Sequence, residues 1–327
     1  MNIAISIASV GGTGGSARNI YTLAKAMDAH VIDIYTMRFI PRGLVPQGKN
    51  ITIRWFEKGA DGPRITLECR PYNLYIYYAA RAPICLGNHL NARKKVVLPC
   101  GNDVRGVEQY FDYVICQAED GIKYFEDIRK KVVIEPCVII PADRLIPVER
   151  IPSDFFLTVF NPYDLDRQYD DGCKPCKGHD LLYEMADDFA MPLIWCHGDE
   201  SVNMNHNIHE HPNIIHFHNL EQERMYYLYQ KATAYVSFSR EEGFGWSIAD
   251  AVMFDKPIIS RRIGVLSSIN REEKGLYLYE TKRELHRLLS RKSFEAGAYK
   301  KHRFTPARFQ TRLMSLEDAD GGRERVS

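Results

Sequence analysis

The chain has 327 residues, 45% of them apolar, and a formal net charge of +1. That length suits two packed domains, and the balanced charge excludes an overall field that would gather nucleic acid or a membrane surface. No apolar run approaches the roughly 20 residues of a bilayer span.

The N-terminus, MNIAISIASVGG, lacks the basic start of a signal peptide and reads as a first strand over residues 2–8. A glycine-rich loop, Val10 to Ser16, follows, then an amphipathic helix over 17–27 and a strand over 30–35. A glycine loop between strand and helix suits phosphate binding. It is not G-x-x-x-x-G-K-[ST], which disfavours a P-loop NTPase. Nor does an acid follow the second strand as a dinucleotide reader needs, since Asp33 lies inside it. Residues 37–50 read as a loop. Strands are predicted over 51–56, 64–68, 74–78 and 95–99, the last ending in Cys100-Gly101-Asn102-Asp103. A strand over 112–116, a helix over 119–128 and a strand over 132–140 complete an N-terminal domain of residues 1–150, closed by a linker carrying Pro141, Pro147 and Pro152.

The second domain, 151–304, is predicted to open with a strand over 154–160, a long polar loop to Lys177 and a helix from Gly178 to Phe189. Cys173 and Cys176 have the spacing of half a zinc site, but no second pair follows, and no metal is expected. The eight cysteines otherwise read as reduced thiols of a cytoplasmic protein. Strands over 193–197 and 214–217 precede a helix over 221–231. After a last strand at 276–279 and a helix at 282–289, Thr305 and Pro306 are placed to cap and begin a C-terminal helix over 305–318. Residues 319–327 read as a frayed tail. Three short basic clusters, at 93–95, 129–131 and 300–303, read as solvated loops.

Residues 235–260, YVSFSREEGFGWSIADAVMFDKPIIS, organise the rest. A buried strand runs into a glycine turn, a helix start and another strand, the layout of a ligand site at the carboxyl edge of a parallel sheet. Gly243 and Gly245 let the backbone approach a ligand, and the amides of Phe244, Gly245 and Trp246 fall at a helix N-terminus, where anions and sugar oxygens are favoured. Glu242 and Asp250 are eight residues apart, a spacing that puts two acceptors near one helical face. The plainer reading is a glycine turn with two solvated acids.

This stretch resembles the donor-site signature of family 4 of the retaining glycosyltransferases, E-G-F-G-x-x-x-x-E followed by G-x-P-V-I. Asp250 replaces the second Glu, and Asp255-Lys256 stands where Cys-Gly is usual. The resemblance extends with gaps over most of residues 1–315. It implies a GT-B architecture: two Rossmann-like α/β domains facing across a cleft, with the C-terminal helix crossing back to the first. It implies transfer of a sugar, with retention, from a nucleotide-diphosphate sugar to a hydroxyl of a glycan or glycolipid precursor. No cofactor or metal is implied, and peripheral contact with the cytoplasmic membrane face is compatible with it. Carried over by position, Lys177 neutralises the leaving diphosphate, Glu242 holds sugar hydroxyls and Asp250 the ribose. Gly14 and Gly15 approach the donor phosphates, His197 and Leu220 flank the base, and Asp103 contacts the acceptor or donor sugar. For Asp103 a turn closing the strand, and for His197 a hydrogen-bonded strand-end histidine, are the plain alternatives. The family pattern G-R-x(n)-K-G keeps its Lys-Gly here but has Asn161 in place of Arg, with Arg167 or Lys174 as substitutes. That departure keeps a second reading open, a GT-B protein that binds sugar nucleotide or glycan without transfer.

Overall fold

The computed structural model describes residues 1–12, 15–55, 57–59, 62–64, 70–79, 90–99, 111–125, 131–140, 144–162, 176–198 and 208–318. It divides into two compact units, Met1–Ile139 with His302–Ser327, and Ile140–Lys301.

Unit 1 contains β1 (Asn2–Gly12), α1 (Gly15–Ala26), β2 (Val31–Gly43), β3 (Ile51–Trp55), a small hairpin of β4 (Glu57–Gly59) and β5 (Gly62–Arg64), β6 (Tyr72–Ala79), β7 (Ala92–Pro99), β8 (Tyr113–Cys116) and β9 (Lys131–Val133). Seven strands form a parallel sheet in the order β3-β2-β1-β6-β7-β8-β9. Its strands are rich in Ile, Val and Tyr because a parallel sheet covered on both faces must be apolar on both. Ile3, Ile5, Ile32, Ile34 and Ile76 pack under Ile20 and Leu23 of α1 and Met27 just after it, while Tyr35, Tyr75, Tyr77 and Val97 fill the other face.

The remainder of the described chain in unit 2 gives β10 (Phe156–Val159), α2 (His179–Glu184), β11 (Leu193–His197), β12 (Ile214–His218), α3 (Gln222–Lys231), β13 (Ala234–Val236), α4 (Trp246–Met253), β14 (Ile258–Ser260), β15 (Leu276–Leu278) and α5 (Lys282–Leu289). All six strands are parallel, in the order β12-β11-β10-β13-β14-β15. This is the doubly wound order 3-2-1-4-5-6, whose direction of winding reverses between β10 and β13. Helix α5 begins with a full capping box between Thr281 and Glu284. The last helix, α6 (Pro306–Asp318), starts after Thr305, whose hydroxyl accepts from the Arg308 amide, and buries Phe309, Leu313 and Leu316 in the core of unit 1.

Several sequence expectations shift. The loop predicted from residue 37 is strand as far as Gly43, because β2 stays paired with β1 through Val10 opposite Phe39 and Gly12 opposite Gly43. Of the helix predicted over 119–128, the described part is a 3-10 turn, Glu119–Phe125, in which the Gly121 amide donates to the Ala118 carbonyl three residues back, and 126–128 lie outside the described residues. The strand expected over 132–140 pairs only through Lys131–Val133, since Pro136 has no N–H to give. Asp33, misplaced for a dinucleotide site, is instead a fully buried carboxylate held by Arg54, Arg70 and the Tyr72 hydroxyl. No helix of the described residues is long and apolar enough to cross a membrane.

Candidate functional site

In a doubly wound sheet, the loops leaving the two strands at the reversal point splay apart and leave a crevice at their carboxyl ends. In unit 2 those strands are β10 and β13. The chain leaving β10 returns at Cys176-Lys177-Gly178 to begin α2, and the chain leaving β13 runs through Ser239 to Gly245 to begin α4. The two segments meet there. Lys177 Nζ lies 2.7 Å from Glu242 Oε1, with 22% and 11% of the two side chains exposed. Glu242 therefore lies in the loop before α4, not on a helical face shared with Asp250. Glycines draw the loop inward and α4 begins only at Trp246.

Three glycines make this approach possible. Gly178 has φ 69°, and a Cβ there would sit 2.1 Å from the Phe238 carbonyl oxygen. Gly245 has φ 78° and precedes α4 without offering a side-chain acceptor to its first turn. Gly264 has φ 52°, and a Cβ there would meet the Phe244 carbonyl oxygen at 2.5 Å. The next amide, of Val265, donates to that same carbonyl at 2.7 Å. The turn after β14 is thus fastened to the Glu242–Phe244 loop.

Arg240 joins the two segments a second time. Its amide donates to the Cys176 carbonyl at 2.7 Å, and its guanidinium grips Asp180 with two bonds of 2.8 and 2.7 Å. Burial raises the Asp180 carboxyl, but the Arg240 bonds and charge outweigh it and hold the group below its usual value. No local sequence signal announces this pair, 60 positions apart; only the topology brings it together.

Of the other predicted residues, Phe244 is buried with its ring edge-on to Trp246 at 4.9 Å between centroids. Asp250 is 3% exposed, so it is no solvated acid. Asn161, in the place of the expected Arg, accepts the Gly198 amide at 2.7 Å and ties the ends of β10 and β11 together. His197 ends β11 at 4% exposure, and Leu220 follows β12. Gly15 opens α1 in unit 1. Gly14, Asp103, Arg167, Lys174 and Cys173 lie outside the described residues. Among the described residues no three His, Cys, Asp or Glu side chains are grouped to hold a metal ion.

His197 closes β11 with its ring buried. Among the described residues neither ring nitrogen has a partner within hydrogen-bond geometry. Its ring meets His218 edge-on at 4.0 Å and lies 5.6 Å from His216. Burial, reinforced by His218 and His216, pushes its imidazole down to about 4 against a weaker opposing effect of the Gly198 backbone. An unfolded histidine titrates near 6.5, so between those values the unfolded chain binds the extra proton. The stability this neutral ring confers is complete above about pH 6.5 and is lost as pH falls toward about 4, on the order of 3 kcal/mol in all. Urea unfolding of wild type and His197→Gln at pH 7 and pH 4.5 checks this. The wild type is expected to lose more stability on acidification, and equal losses would exclude the buried neutral ring as the cause.

Residues 174–292 match the family model described as glycosyl transferases group 1, a span that contains Lys177, Asp180, Arg240, Glu242 and Asp250. No curated protein sequence matches the chain. Among solved structures, it is similar to sucrose-phosphate synthase from Thermosynechococcus elongatus, at 14% identity and a TM-score of 0.64 over 96% of this chain and 94% of that one. It is also similar to HepE from Anabaena in complex with UDP-glucose, at 13% identity and 0.64 over 97% and 99%. The lipopolysaccharide outer core galactosyltransferase WaaB matches at 16% identity and 0.58 over 95% of each chain. At such identities these likenesses establish the fold, which is GT-B.

Proposed function

We propose that this glycosyltransferase, in which a glycosyl transferases group 1 segment lies within a GT-B fold, moves a sugar with retention from a nucleotide-diphosphate sugar to a hydroxyl of a glycan or glycolipid. The observation that carries the reading is the Lys177–Glu242 pair at the reversal point of the second sheet, beside the N-terminus of α4. A leaving diphosphate gains negative charge as the glycosidic bond breaks, and a fixed cation and a helix N-terminus are what that charge requires. Lys177 offsets it. Glu242 orients Lys177 through Oε1 and has Oε2 to accept sugar hydroxyls. The backbone of Phe244, Gly245 and Trp246 supports the sugar and phosphate, Asp250 takes the ribose hydroxyls, and His197 and Leu220 border the base.

None of these residues is placed as a nucleophile. The reading is therefore a front-side transfer: the acceptor oxygen attacks the anomeric carbon, the bond to the diphosphate breaks, and the acceptor proton passes to a departing phosphate oxygen. Charge on the diphosphate is offset without a resident metal. Incubation with UDP-, GDP- and ADP-sugars tests this, with proton NMR of the sugar released to water or acceptor. One donor is expected to be consumed, in EDTA as in Mg²⁺, with the first-formed product keeping the donor's anomeric configuration. An inverted product would sink the retaining reading.

Asn161 favours a second reading. Its carboxamide is engaged with the Gly198 amide where the resemblance places a phosphate-binding Arg. A binding protein without transfer would be stabilised by a nucleotide diphosphate yet release none from any donor.

A further inference from the structure

Among the described residues, two arginines in unit 2 lack the anionic partner that Lys177 and Arg240 have. Arg261 and Arg262 follow β14 directly, at the carboxyl edge of the sheet. The chain turns sharply there, with the Ile263 amide donating to the Arg261 carbonyl at 3.0 Å, and Gly264 then abuts the Glu242 loop. A Cβ on Gly264 would lie 3.1 Å from Glu242 Cβ, so the turn that follows the two arginines packs against the Glu242 loop.

Both side chains are partly buried. Arg261 lies over the Tyr279 ring at 5.2 Å, and Arg262 donates Nη2 to the Ser267 carbonyl at 2.8 Å. Those contacts hold the guanidinium groups in place and leave donors over. Arg261 Nε and Arg262 Nη1 are buried and have no hydrogen-bond partner among the described residues, and neither arginine has a carboxylate partner there. A buried guanidinium N–H without an acceptor or counter-charge is costly, and an anion with several acceptor oxygens is the ligand that relieves such a cost. Arginine suits phosphate because its planar fork matches two oxygens.

We infer that Arg261 and Arg262 form a second cationic subsite, which takes phosphate oxygens of the donor diphosphate and supplies the charge that Asn161 does not. The inference rests on the donor-site reading above and deepens it. Lys177 and the arginines then flank the Glu242 loop from two different strand ends, and the diphosphate is held by three cations in place of the Arg and Lys of the family pattern.

The probe is inorganic pyrophosphate, which carries the diphosphate chemistry without base or sugar. Its Kd is measured by calorimetry for wild type, Arg261→Gln, Arg262→Gln, Arg262→Lys and Lys177→Ala, with thermal midpoints recorded for each. Each Arg→Gln change is expected to weaken binding about 10-fold or more, and Arg262→Lys to recover part of that loss. The dependence of Kd on salt is expected to become shallower in the Arg→Gln proteins, which a merely structural role of Arg262 on Ser267 would leave unmoved. Unchanged pyrophosphate affinity in both Arg→Gln proteins, with a loss in Lys177→Ala, overturns this inference and leaves the donor-site reading standing. Absence of pyrophosphate binding to wild type overturns both.

Discussion

Lys177→Met is expected to slow donor turnover by about 100- to 1000-fold, the effect of removing one preorganised charge from a developing anion. The Lys177 ammonium is fixed at 2.7 Å from Glu242 and only 22% exposed, so no solvent cation can take its place with the same geometry. The loss belongs in kcat and kcat/KM together, because the charge it meets is larger in the transition state than in the bound donor. Glu242→Gln separates the partners. It frees Lys177 from its counter-charge, so diphosphate affinity is expected to rise or hold while turnover falls through loss of the sugar contact. Release of nucleotide diphosphate, followed continuously, reports the first effect and calorimetry the second. Full turnover in Lys177→Met would remove Lys177 from the chemistry.

Gly178→Ala is expected to cost about 3 kcal/mol or more of folding stability, and Gly245→Ala about 1–2 kcal/mol. Both positions have positive φ, where a non-glycine residue is strained. They differ in what a methyl group meets. At Gly178 it lands 2.1 Å from the backbone carbonyl oxygen of Phe238, just after β13, and a backbone atom yields far less readily than a side-chain end. At Gly245 the nearest atom is the Cδ1 of Ile248 at 3.2 Å, the end of a flexible side chain. Urea unfolding of the two variants compares them directly. Equal destabilisation would mean that the packing of α2's start on the Phe238 backbone is looser than its geometry implies.

The doubly wound second unit was legible because its strands are short apolar runs separated by loops with clear turn residues, and its parallel order follows from alternating strands and helices. That Lys177-Gly178 and the Glu242–Gly245 turn stand at loop-to-helix junctions was legible because glycines mark the turns between apolar strand runs and the helices that follow. The resemblance at 235–260 added the roles. What escaped the sequence depends on distant pairing. Arg240 and Asp180 are ordinary charges on two amphipathic stretches until β10 and β13 lie side by side. The burial of Asp250 escaped as well, since the small, apolar α4 gives one polar residue no label as to which side it faces. Asn161 looked like a missing arginine, whereas its carboxamide closes the β10 and β11 ends on the Gly198 amide. Gly264 carried no distinguishing neighbours, and its φ of 52° follows only from the close approach of the Phe244 carbonyl.

Binding of a nucleotide diphosphate at the Lys177–Glu242 crevice of unit 2 is read by thermal unfolding in the presence of UDP, GDP, ADP, CMP and dTDP, with and without Mg²⁺. One diphosphate is expected to raise the midpoint well above the others, and to do so without Mg²⁺. Ligand at 100 times its Kd adds about 2.7 kcal/mol. The same shift should vanish in Lys177→Ala. A midpoint unmoved by every nucleotide, or moved equally in Lys177→Ala, would contradict binding at that crevice.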